Sequence, residues 1–317
     1  MSRIAQTWKS PWLIGSIGLY LCSLAAVSFS PRYGVEDALT MIVVFGVVLS
    51  GTALLITRGV DEREAVKSPG VREMALVLGL VTFVAVYLVW GVGVLDSAAS
   101  GLTGGSARAA YVLNIARKLL IFVVIPLAAL RLFTEVRRKD IGLARGSSRL
   151  AAGRLVLLAA AICVPILLLQ FIAGSAAKPL FEGAFTAGEL ILAVPLCFAV
   201  LVFEVGLVEE IFYRVILQSR LSAYFRSEAA GIAVASLIFA LSHSPGLILR
   251  GGDAVGGAGP APAPIETIAY TIATLTLPAV MFGIIWSRSR SLPVLVVIHA
   301  ITDIPPSLPE FVKTFLR

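Results

Sequence analysis

The sequence predicts an all-α polytopic membrane protein with about eight to nine transmembrane helices. Three observations predict it. Of 317 residues, 58% are hydrophobic and 14% charged, with a mean hydropathy of +0.94, against roughly 45–50% apolar and about 25% charged in soluble domains. Apolar runs about 20 residues long recur along the chain, each long enough to cross a hydrocarbon core of about 30 Å. Residues 81–90 and 155–169 are apolar on every face, whereas strands of membrane barrels alternate. A soluble globule and a closed barrel are both excluded.

The first span, 12–29, follows Arg3 and Lys9. Its length is long for a secretory signal core, so it reads as a retained helix. Further spans are predicted at 38–57, 74–95, 114–133, 153–173, 189–217, 229–249 and 266–286. A short ninth segment, 292–305, ends in Pro305 and Pro306 and reads as a partial or re-entrant helix.

Lysines and arginines between the spans alternate in number. Two precede the first span, then one (Arg32), four (Arg58, Arg63, Lys67, Arg72) and one (Arg108) follow. Seven lie from Arg131 to Arg154, then come one (Lys178), two (Arg220, Arg226), one (Arg250) and two (Arg288, Arg290). Cytoplasmic loops are the basic ones, so the N-terminus is expected in the cytoplasm. The net charge of +7 is therefore a matter of membrane orientation, and no nucleic-acid partner is expected. Arg117 and Lys118 break the pattern, standing near the outer interface at the start of the fourth span.

Arg137, Arg138 and Lys139, followed by Ile141 and Leu143, could lie on an anionic leaflet or simply anchor topology. Residues 251–264 are rich in Gly, Ala and Pro and read as a connector. Cys22, Cys163 and Cys197 fall in apolar stretches without paired spacing and read as small core residues. The chain divides into N-terminal helices with the basic loop (1–150) and a C-terminal core (151–317).

Ionisable residues at bilayer depth are costly and point to function. The sixth span carries Glu204, Glu209, Glu210 and Arg214. Glu210 and Arg214 are four apart and can pair. Glu209 is turned about 100° from Glu210 around a regular helix, free to face a cavity. The two histidines of the chain, His243 and His299, occupy separate apolar segments of the same last third, with Phe239 one turn before His243 and Asp303 one turn after His299. A carboxylate at that spacing can orient an imidazole. Glu209 is expected about eight residues from the cytoplasmic end of its helix and His243 deeper, so tilt or a shifted boundary is needed for them to meet.

Glu209-Glu210-x-x-x-Arg214, Phe239-x-x-x-His243 and His299-x-x-x-Asp303, in this order on separate helices, resemble the CPBP intramembrane proteases. That family includes type II CAAX prenyl endopeptidases and bacteriocin-processing or immunity proteins. The resemblance covers about 189–305 and leaves the first four spans unexplained. Asp303 departs from the commoner Asn of the family. The resemblance, which extends to myxosortase-like members, implies hydrolysis of a peptide bond in a membrane-associated protein or peptide, as processing of a precursor or of a C-terminal tail.

The residues supply a scheme for it. Glu209 acts as general base on a water. Glu210 is scaffolding held by Arg214. His243 positions the water or receives charge, and His299, oriented by Asp303, stabilises the oxyanion. A metal-free reaction with no cofactor is favoured over a zinc site, in which Glu209, His243 and His299 would be the ligands. The expected partners are a membrane-anchored substrate and lipid, and the expected location is a bacterial inner membrane. The alternatives are a proton-coupled transporter component and a non-catalytic immunity or binding protein using the same cluster.

Overall fold

The computed structural model describes residues 10–30, 32–60, 68–137, 141–143, 148–172, 178–250 and 262–317. Arg63, Lys67, Arg138, Lys139 and residues 251–261 of the connector lie outside the described residues. Ten main helices follow one another: α1 (Pro11–Ser28), α2 (Val35–Ile56), α3 (Val71–Leu102), α4 (Ala107–Phe133), α5 (Ala152–Ile172), α6 (Ala187–Phe225), α7 (Glu228–Arg250), α8 (Pro264–Ser289), α9 (Leu292–Thr302) and α10 (Ile304–Phe315). No strand occurs among the described residues. Eight helices, α1 to α8, are long and apolar enough to cross a membrane, and α9 with α10 makes a ninth span bent by 68°. The fold is that of an all-α polytopic membrane protein.

Lipid is the solvent that explains the outer surface. Val47, Leu55, Val94, Leu132 and Ile191 all point outward and exposed, which costs nothing in hydrocarbon. Cys22 is exposed with them on α1, unlike the buried Cys163 and Cys197, so only the latter two are core residues. Helix α8 is the hub: 61% of its most apolar window is buried, against 22% in α1, α2, α3 and α5. One continuous apolar core joins Leu80 and Val84 of α3, Phe122 of α4, Leu158 and Ile162 of α5, Phe212 of α6 and Trp286 of α8.

Helix α6 is longer than the predicted 189–217. It starts with a capping box, in which the Glu189 N–H donates to Thr186 Oγ1 (3.2 Å) and the Thr186 N–H to Glu189 Oε2 (2.8 Å). It ends at Arg226, whose left-handed backbone (φ 52°) stops the helix. Within it the turns widen to the π-type i→i+5 pattern at Val202–Gly206 and Glu210–Gln218. Such widenings recur at functional sites, and here the second begins on Glu210 itself. Ser219 Oγ donates to the Arg214 carbonyl (3.1 Å).

The extra length resolves the mismatch in depth. Glu209 lies 16 residues before Phe225 and His243 lies 15 after Glu228, so both are about 22–24 Å from the α6–α7 turn at about 1.5 Å per residue. Glu209 is thus twice as deep as its predicted boundary implied.

The last span does not stop at the prolines. Pro306 has no N–H for the Thr302 carbonyl four residues earlier, and Gln170 Nε2 of α5 donates to that carbonyl instead (2.9 Å). The chain bends at Asp303 and resumes as α10, with Pro305 and Pro306 in its first turn, where a missing N–H is harmless. The C-terminus comes back beside the start of α6: Arg317 pairs with Glu189 (2.8 Å), and Arg108 Nε of α4 donates to the Thr314 carbonyl (2.9 Å).

Candidate active site

The site forms where α6, α7 and α9 meet. Gly206 brings α9 close, because a Cβ there would stand 2.9 Å from Val296 Cγ1 and 3.0 Å from the Val296 carbonyl oxygen. Only a residue without a side chain allows that approach. It sets His299, one turn further along α9, against Glu210, with its Nδ1–H donating to Glu210 Oε1 at 2.7 Å.

Glu210 faces Arg214 with its other oxygen, Oε2 to Nε at 3.5 Å, and both side chains are almost wholly buried. The guanidinium lies over the rings of Phe239 (4.9 Å) and Phe282 (6.0 Å), so aromatic faces share the work of holding a charge away from water. Phe239 also packs against His243 (4.6 Å between rings) and Tyr213 (5.1 Å). The sequence assigns the orientation of His299 to Asp303; in the structure Glu210 makes that hydrogen bond, and Asp303 Oδ2 stands 3.9 Å from Nε2. Glu210 is therefore more than scaffolding.

His243 donates from Nδ1–H to the Phe239 carbonyl within its own helix (2.9 Å). Both imidazoles thus spend Nδ1 on an acceptor and turn Nε2 toward one carboxylate, Glu209. Its Oε1 is 3.9 Å from His243 Nε2 and its Oε2 is 3.6 Å from His299 Nε2. Those separations are beyond direct hydrogen bonding and suit a bridging water. Oε2 is buried with no hydrogen-bond partner among the described residues, an orphan that a buried carboxylate does not tolerate without a donor.

The structure brings together all seven residues singled out in the sequence. It does not bring them together as a metal site: among the described residues no three His, Cys, Asp or Glu side chains meet as ligands of one ion. The donor types suit zinc, but their arrangement does not, and no step below is routed through a metal.

Glu209 and His243 face a cavity of about 640 Å³, and its far wall comes from helices that the sequence left without a role. Helices α3 and α4 supply Tyr87, Asp96, Tyr111, Arg117 and Lys118. Lys118 Nζ pairs with Glu204 Oε1 (2.9 Å), and Tyr111 donates its hydroxyl hydrogen to Glu204 Oε2 (2.5 Å). Arg117 pairs with Asp96 Oδ1 (2.7 Å), donates to Asn114 Oδ1 (2.8 Å) and lies over Tyr87. Arg117 and Lys118 are thus inward-facing partners rather than interface charges. The signal was present: two cations in an apolar span, and one unassigned carboxylate, Glu204, in another.

Among known proteins, residues 191–305 match the family described as Type II CAAX prenyl endopeptidase Rce1-like. No curated protein and no solved structure matches the chain. The family segment contains Glu209, His243, His299 and Asp303 and leaves out α3 and α4, which complete the cavity. This match over residues 191–305, about a third of the chain, supports membership of the CPBP family of membrane-embedded endopeptidases.

Proposed function

We propose that the protein hydrolyses a peptide bond of a membrane-anchored protein or peptide by means of a water activated by Glu209, without a metal. The observation that carries this reading is the convergence of two imidazole Nε2 atoms on one carboxylate, at 3.6 and 3.9 Å, beside a cavity. With Nδ1 of His243 committed to a carbonyl, its Nε2 is a hydrogen-bond acceptor in the neutral ring. A water donating one hydrogen to His243 Nε2 and the other to Glu209 keeps a lone pair for attack.

Glu209 takes the proton as the oxygen adds to the substrate carbonyl carbon. His299, held by Glu210, donates from Nε2 to the oxyanion. The proton on Glu209 then passes to the leaving nitrogen as the C–N bond breaks, giving an acid and an amine. Asp303 Oδ2 stands 3.9 Å from the same Nε2. The bundle's basic loops support a cytoplasmic N-terminus, and a bacterial inner membrane is the proposed location.

The test is a strain lacking the protein, whose membrane fraction should accumulate precursors at their uncut mass. Wild type should restore cleavage and Glu209→Gln should not, with a loss of about 10²–10⁴-fold. Retention of a tenth of the wild-type rate by that variant overturns the base assignment. Loss of activity with a chelator and rescue by zinc overturns the metal-free scheme.

A further inference from the structure

The walls of the cavity all come from one end of the bundle. Helix α3 contributes its second half, from Tyr87 to Asp96, and α4 the stretch from its start at Ala107 to Phe122, near its middle. Helix α7 contributes its last turns, to Leu249, and α10 contributes Thr314 near the C-terminus. His243 is six residues, about 9 Å of helix, from Leu249 and 15 residues, about 22 Å, from the opposite end of α7. Toward that opposite end the interior is shut by buried Phe212, Tyr213, Arg214 and Trp286. Beyond them lie the ion pairs Arg220–Glu73 (3.0 Å) and Arg290–Glu228 (3.3 Å). The carboxylate at Glu209 is therefore reached from the end that carries the α3–α4 turn and the C-terminus.

Charge identifies that end. Each connection there holds a single lysine or arginine (Arg32, Arg108, Lys178, Arg250), and the C-terminal helix adds Lys313 and Arg317, the latter neutralised by Glu189. The connections at the closed end hold four, seven, two and two, after two at the N-terminus. The basic end faces the cytoplasm. The open end faces away from it.

We infer that substrates enter from the non-cytoplasmic side, so the bond cut lies in an exported, membrane-proximal segment of an anchored protein rather than in a cytoplasmic tail. This rests on the hydrolytic reading of Glu209 and narrows its substrate class. A volume of about 640 Å³ is that of a small-molecule pocket, so it holds a short extended stretch of chain. The stretch must pass Lys118, Tyr111 and Glu204 on its way to Glu209.

The experiment reads access without proteolysis. Single cysteines at Leu249 and at Ala110 (Leu249→Cys, Ala110→Cys), and at Ser68 in the connection at the closed end (Ser68→Cys), are placed in the full chain with Cys22, Cys163 and Cys197 replaced by alanine. A sulfonated, membrane-impermeant maleimide is applied to right-side-out and to inverted membrane vesicles. Leu249→Cys and Ala110→Cys should react at least tenfold faster in right-side-out vesicles, and Ser68→Cys at least tenfold faster in inverted ones. Faster reaction of both mouth positions in inverted vesicles, or no difference between vesicle types, overturns the inference. Either result leaves the Glu209→Gln test of hydrolysis standing on its own.

Discussion

Glu210 holds His299 with one oxygen and faces Arg214 with the other, so a change in its charge acts on the chemistry and on the core together. Glu210→Gln should lower kcat/KM at least tenfold and lower the thermal midpoint. Asp303→Asn, which leaves the Nδ1 hydrogen bond in place, should stay within tenfold of wild type; a purified, detergent-solubilised cleavage assay separates the two. Arg214→Leu removes the cation facing Oε2 of the buried Glu210 and leaves that carboxylate with His299 alone, and breaking a buried pair in this way costs about 3–5 kcal/mol. It should be visible as reduced expression and a lower thermal midpoint, whereas His243→Ala, at a side chain open to the cavity, should spare stability and abolish cleavage. Equal stability of the two variants would remove the structural role of Arg214. Glu209 and both histidines were legible in the sequence because charge is so scarce in these helices that position alone singles them out. The partner of His299 was not. Spacing by four nominates Asp303, while the contact that forms joins residues 89 apart and depends on how α9 docks on a widened α6.

At the scale of the helix, that docking turns on Gly206. Gly206→Ala places a methyl group 2.9 Å from Val296 Cγ1 and 3.0 Å from a backbone oxygen, and α9 can only move away. Overpacking of this kind costs about 1–3 kcal/mol, and the larger effect should be on catalysis, since His299 travels with α9. We expect at least a tenfold drop in kcat with the helical content by circular dichroism unchanged. The proline pair at 305–306 reads in the sequence as a terminus because a proline cannot donate to the preceding turn. What the sequence does not display is a donor from elsewhere, Gln170 of α5, satisfying the orphaned carbonyl. Gln170→Leu should destabilise the protein by about 1–3 kcal/mol, measurable as a lower thermal midpoint.

Across the whole molecule, the count and order of the membrane helices were legible because hydrocarbon demands long unbroken apolar helices and leaves that demand written in composition. The role of α3 and α4 was not, since lateral packing in lipid leaves only small marks on sequence. The pair that ties them to the catalytic core is Lys118–Glu204 (2.9 Å). Lys118→Met alone should destabilise more than Lys118→Met combined with Glu204→Gln, because the double change leaves no charge unanswered; thermal midpoints of the three proteins give the comparison. That same pair sets a problem of timing during synthesis. Lys118 precedes Glu204 by 86 residues, so at about 5–20 residues per second the ribosome delivers the lysine about 4–17 s before its counter-charge exists. Asp96, already made, can answer Arg117, but Lys118 has to wait. Helix α4 must then be sheltered by the insertion machinery, or sit shallow with its lysine at the interface, until α6 arrives. A nascent chain arrested before Glu204 should release α4 into alkaline carbonate more readily than one arrested after α6 has emerged.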